Sequence, residues 1–163
     1  MEKQIANDLK DIGTSILIVD DEETVRDVCR QMLVFSGMPE RNVFLASNNE
    51  EACEIFQANE NITLVLCDIS RISFRILFAS VDNLPVFISQ KIRENNGHSL
   101  IDDLRECSDR DFMFIINSGY DKEDIRQVSE EYGASGYMQK PITREALVKI
   151  VRKLFDTPMP VKR

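Results

Sequence analysis

The sequence predicts a doubly wound α/β fold: a five-stranded parallel sheet with helices on both faces. Three observations predict it. Short continuous apolar runs alternate with amphipathic stretches five times. The runs show no polar alternation, as expected of strands covered on both faces. They also end abruptly in polar or acidic residues. Right-handed crossovers turn such alternation into a parallel sheet flanked by helices.

Ile16–Val19 is the first run. Val25, Val28, Cys29, Met32 and Leu33 then recur at helical spacing, and Gly37 offers a stop. Val43–Ala46 is a second strand, and Asn48 or Asn49 can cap a helix carrying Ala52, Cys53, Ile55 and Phe56. Ile62–Cys67 is a third strand, ending at Asp68. Leu100, Ile101, Leu104 and Cys107 mark a helix opened near Gly97. Phe112–Asn117 is a fourth strand, ending at Ser118 and Gly119. Ile125, Val128 and Tyr132 sit on a helix that Gly133 can end. A short strand follows at Gly136–Gln139. Thr143 then caps a last helix with Leu147, Ile150, Val151 and Leu154.

The 163 residues suffice for one domain with a real core. A formal charge of −8 opposes non-specific binding to nucleic acid or an anionic membrane. No apolar run approaches the roughly 20 residues that span a bilayer. "MEKQIANDLKDIG" lacks a signal-peptide core, so the expected location is cytoplasmic. Cys29, Cys53, Cys67 and Cys107 show no metal-type spacing and read as reduced structural thiols.

In an open parallel sheet, ligands bind beyond the carboxyl ends of the strands. Strand one delivers Asp20 and Asp21 there, strand three Asp68, strand four Ser118, and strand five Tyr137 and Lys140 followed by Pro141. If strands one, three and four adjoin, three carboxylates meet and repel one another. A hard divalent ion such as Mg²⁺ relieves this and suits oxygen ligands plus a phosphate. Lys140 and Ser118 then suit an arriving phosphoryl group, and Asp68 can be its nucleophile. Each residue also has a plainer reading. The acids can serve helix caps or turns, Ser118-Gly119 a turn, Lys140 the solvated surface, and Tyr137 the rim of a core.

"ILIVDDE", "LVLCD", "FIINSG" and "YMQKP" together resemble the motifs of bacterial two-component response-regulator receiver domains. The resemblance covers residues 15–156 with an insertion at about 71–94, leaving an N-terminal extension at 1–14 and a tail at 157–163. It implies a flavodoxin-like sheet of order 2-1-3-4-5. It implies that Asp68 accepts a phosphoryl group from a histidine kinase or histidine phosphotransfer protein. Asp21 and Asp68 would bind Mg²⁺, or another divalent cation such as Mn²⁺, directly, with Asp20 acting through water and the Ser70 main-chain carbonyl completing the set. Lys140 would contact the phosphoryl oxygens. Ser118 and Tyr137 would be the switch pair, and the Lys140–Pro141 bond would be cis. The protein would be a switch rather than an enzyme, with at most self-catalysed phosphorylation and dephosphorylation. It would act on a downstream protein through a binding surface, without a DNA-binding output domain.

The sequence departs from the family after Asp68. "DISRISFRILFASVDNLPVFISQKIRENNG" is longer than the usual segment, Arg71 and Ile72 stand where Met-Pro is usual, and Asn96-Gly97 resembles a delayed Asp-Gly. Its periodicity fits strand and helix alike, an extended segment followed by a helix from about Pro85 being the expectation, and its apolar surface is expected to pack within the chain or on a partner or a second copy as a homodimer. His98 has no acid partner in sequence and reads as exposed. Two other functions compete. One is a receiver fold that is not phosphorylated and serves as a constitutive interaction or dimerisation module. The other is a haloacid-dehalogenase-like phosphatase, whose Asp-x-Asp motif on strand one "VDDEET" lacks.

Overall fold

The computed structural model describes residues 8–68, 100–119, 126, 129–130 and 133–156. Five strands form one parallel sheet: β1 (Ser15–Val19), β2 (Val43–Ala46), β3 (Ile62–Asp68), β4 (Met113–Ser118) and β5 (Gly136–Gln139). Their order is β2-β1-β3-β4-β5, the expected 2-1-3-4-5. β1 and β4 are buried throughout, which explains their unbroken apolar sequences. The fourth strand begins and ends one residue later than expected, so Ser118 belongs to it and Phe112 precedes it.

Among the described residues, these α-helices cover the sheet: α1 (Glu23–Phe35), α2 (Asn49–Ala58), α3 (Leu100–Cys107) and α4 (Arg144–Phe155). α1 and α4 pack on one face through Cys29, Leu33, Leu147 and Val151, against Ile18, Leu66, Ile115 and Met138. α2 and α3 pack on the other through Ala52, Phe56, Ile101 and Leu104, against Val19, Cys67 and Ile116. Successive strand residues thus serve opposite layers, the two-residue period of a strand. Gly136 sits where β5 meets α4 most closely; a Cβ there would run into Ile150.

The helix ends follow local chemistry. Ser36 and Met38 donate backbone N–H bonds to Leu33 O at 3.2 and 3.1 Å, and Gly37 turns the chain out of α1 with φ 107°. Asn48 is the cap of α2: its Oδ1 accepts from Glu51 N at 2.8 Å. Glu51 Oε2 accepts in return from Ser47 N and Oγ, both at 2.8 Å. Asn49 instead ties α2 to α3 through Asp103, at 3.0 Å. Thr143 Oγ1 accepts from Ala146 N at 3.2 Å, capping α4 as expected. Asn48→Ala removes one of these caps and should lower unfolding free energy by about 1 kcal/mol, read as a lower urea midpoint with an unchanged slope.

The segment before β1 is part of the packing. Leu9 and Ile12 are buried in the α1/α4 layer. Leu9 N donates to Ser36 O at 3.0 Å, and Arg152 Nη1 reaches Asp8 O at 3.1 Å and Asp11 Oδ1 at 2.9 Å. Arg126, Ser129 and Glu130 are helical, and Gly133 follows with φ 72°, in the left-handed region. The expectations for Ser70, the insertion at about 71–94, Asn96-Gly97, His98 and the tail at 157–163 lie outside the described residues. All four cysteines are free, and burial, with the Asp20 charge second, pushes the Cys29 thiol up to about 11. Among the described residues no helix is long and apolar enough to cross a membrane.

Candidate functional site: an acidic cluster at the carboxyl end of the sheet

β1 and β3 are neighbours with Val19 opposite Cys67. Their next residues, Asp20 and Asp68, therefore stand side by side at the carboxyl end of the sheet. Both follow the face of Ile18 and Leu66, so both point into the α1/α4 side. Asp21, one residue on, is exposed. One carboxylate oxygen from each of Asp20, Asp21 and Asp68 lies within 4.8 Å of the others.

Lys140 comes from beyond β5 and closes the cluster. Its Nζ donates to Asp68 Oδ2 at 2.9 Å and to Asp20 Oδ2 at 3.3 Å. The Lys140–Pro141 bond is cis. Lys140 N donates to Ser118 O at 2.6 Å, anchoring the residue beside the end of β4. Asp20 has two further duties. Its Oδ1 accepts from Glu22 N at 2.9 Å, and its main-chain oxygen accepts from Arg26 Nη1 at 2.7 Å. The plain reading of Asp20 as a helix-start residue is thus true as well: it supports the entry to α1, while the capping position itself is Glu22, whose side chain makes no cap bond.

Burial pushes the Asp20 carboxyl above its usual range; the Glu22 N–H and Lys140 oppose this, and the Asp68 charge adds to it. For Lys140, burial works downward, but the Asp68 and then the Asp20 carboxylates outweigh it and hold the ammonium above its usual range. The linkage has one sign for both groups. Each binds its proton more tightly in the folded protein, so each favours folding below its unfolded pKa. That contribution is lost as pH rises through the folded value. Without divalent cation, the contribution of this cluster to stability should therefore decline with rising pH from about 4, through Asp20, and again above about 10, through Lys140. Asp20→Asn keeps the acceptor for Glu22 N and should abolish the first decline, measured by urea unfolding between pH 4 and 7.

Ser118 and Tyr137 lie elsewhere. Ser118 is buried at the end of β4 on the face of Ile116, opposite to that of Asp68. Tyr137 is half-buried on that same face, paired in register with Ile116. Tyr137 also lines a 310 Å³ cavity with Ser129, Glu130, Ile150 and Lys153. The acids and Lys140 thus form one constellation, while strand alternation assigns Ser118 and Tyr137 to the other face of the sheet. The described donors of the first constellation suit a hard divalent cation. All are oxygens, and one of them belongs to a fully buried carboxyl beside two others.

No family model matches the chain. The two-component response regulator PprB of Pseudomonas aeruginosa is 30% identical over 142 residues, covering 86% of this chain and 43% of that protein. The receiver domain of NtrX from Brucella abortus superposes with a TM-score of 0.61 at 19% identity, covering 88% of this chain and 100% of that one. A response-regulator receiver domain from Clostridium thermocellum gives a TM-score of 0.56 at 22% identity, covering 88% and 94%. The two structural likenesses carry the fold, and the first relative carries the kinship in sequence. This chain is a receiver-like domain, of the kind found in response regulators of two-component signalling. It spans less than half the length of the curated relatives it matches.

Proposed function

We propose that Asp68 is phosphorylated by a histidine kinase or histidine phosphotransfer protein and that this switches a protein-binding surface. The observation that carries the reading is the convergence of Asp20, Asp21, Asp68 and Lys140 from three separate stretches of sequence. The likeness to a two-component response regulator supports this class of donor. An Asp68 oxygen attacks the phosphorus of a phosphohistidine; the P–N bond breaks, and a P–O bond forms an acyl phosphate. Mg²⁺ or Mn²⁺ held directly by Asp21 and Asp68, and by Asp20 through water, would neutralise charge on the entering phosphoryl oxygens. Lys140 Nζ, already on Asp68, donates to one of those oxygens and holds the group in line.

Ser118 and Tyr137 are assigned the readout. Their shared face and the cavity beside Tyr137 give a small shift at the end of β4 a route to the surface of β5 and α4. The receiver would then favour one of two states and bind its target in one of them.

The test uses intact-mass spectrometry after incubation with Mg²⁺ and a small acyl phosphate. One phosphoryl group should be gained, and chelation of the metal should prevent it. No gain at saturating donor would instead favour a constitutive interaction module, which needs no phosphorylation. Rapid multiple turnover of phosphate esters would favour a phosphatase.

A further inference from the structure

Asn117 is used neither by the sequence reading nor by the proposed chemistry. It is 1% exposed, and its Oδ1 is buried without a hydrogen-bond partner. A buried amide oxygen left unmatched is costly, so its surroundings call for an explanation.

The sheet register supplies one. Asn117 stands opposite Asp68 on one side and Met138 on the other. Ile115, two residues earlier, and Met138 both belong to the α1/α4 layer. Strand alternation therefore places Asn117 on the face of Asp20 and Asp68. Lys140 lies on the far side, its N–H on Ser118 O. Its ammonium nevertheless reaches Asp68 on β3 and Asp20 beyond β1. With strands about 4.8 Å apart, the lysine side chain must cross β4 on this face. Gly119 contributes no side chain there, and the next β4 residue on that face is Asn117.

The geometry points to Asn117 as a positioning residue for Lys140, offering its orphaned Oδ1 to the ammonium when a divalent cation claims Asp20. This rests on the reading of the acids as a cation site. An ammonium has three N–H donors, and Asp20 and Asp68 take two of them. A divalent cation close to Asp20 repels an ammonium held on the same carboxylate. Asn117 lets Lys140 give up Asp20 yet stay beside Asp68, where the phosphoryl oxygens arrive, rather than turn out to solvent.

The test compares Mg²⁺ affinity by calorimetry with melting temperature in the absence of metal. Asn117→Leu loses no existing bond from Oδ1, so its metal-free melting temperature should equal or exceed that of the wild type. Its Mg²⁺ affinity should fall about tenfold, as expected for one hydrogen bond to a charged group. In a Lys140→Met background the same substitution should leave Mg²⁺ affinity unchanged. Should Asn117→Leu not fold, Asn117→Val is judged by the same criteria. Wild-type affinity in the single variant overturns the assignment, as does equal weakening in the Lys140→Met background. A large fall in melting temperature with unchanged affinity makes Asn117 a packing residue and overturns it too. A wild-type protein that binds no Mg²⁺ overturns the cation-site reading itself, and this inference with it.

Discussion

Asp68→Asn should take up no phosphoryl group under conditions that label the wild type fully. The amide is nearly the same size as the carboxylate, so the end of β3 keeps its shape. It lacks the anionic oxygen that attacks phosphorus. Two side effects distinguish this loss from unfolding. The substitution removes one of three clustered negative charges, so the metal-free protein should be no less stable than the wild type. It also removes a cation ligand, so Mg²⁺ should stabilise the variant less than the wild type. Labelling that persists in Asp68→Asn would place the acceptor elsewhere.

Lys140→Met should have the largest effect on stability. Methionine preserves much of the apolar stem but no charge. Asp20 and Asp68 then face each other and Asp21 without the cation they now share. Asp20 is fully buried, while the Lys140 and Asp68 side chains are 21% and 16% exposed, so solvent screens the repulsion only in part. Unfolding free energy at pH 7 should fall by about 2 kcal/mol, below the 3–5 kcal/mol typical of breaking a fully buried pair. Millimolar Mg²⁺ should restore most of it, and protonating the carboxylates at low pH should narrow the difference. Urea unfolding with and without Mg²⁺, at pH 7 and near pH 4, measures all of this. An unchanged midpoint would show that Lys140 does not carry the electrostatic balance of the cluster.

Much of this site was legible because continuous apolar runs end abruptly. Ile16–Val19 must be a covered strand, so Asp20 and Asp21 must stand at its carboxyl end; the same reasoning places Asp68, whereas Lys140 follows a short strand, Gly136–Gln139, that is only partly apolar. Helix caps were legible where the side chain itself makes the bond, as at Thr143. They were ambiguous at Asn48-Asn49, where two equal candidates adjoin and only the partner Asp103 separates their roles. Leu9 and Ile12 were missed as core residues because they lie in turn and coil with no period to betray them. Asn117 was passed over inside "FIINSG", although a polar residue in a fully covered strand was the available signal. The bridging of two carboxylates by Lys140 depends on register across four strands, which no local pattern encodes.

Crystals grown with Mn²⁺ and measured for anomalous scattering address the central claim most directly. A manganese peak should lie within coordination distance of Asp21 and Asp68 and close to Asp20, with the Lys140 ammonium withdrawn from Asp20. At saturating Mn²⁺, an empty cluster with Lys140 still bridging Asp20 and Asp68 would contradict it.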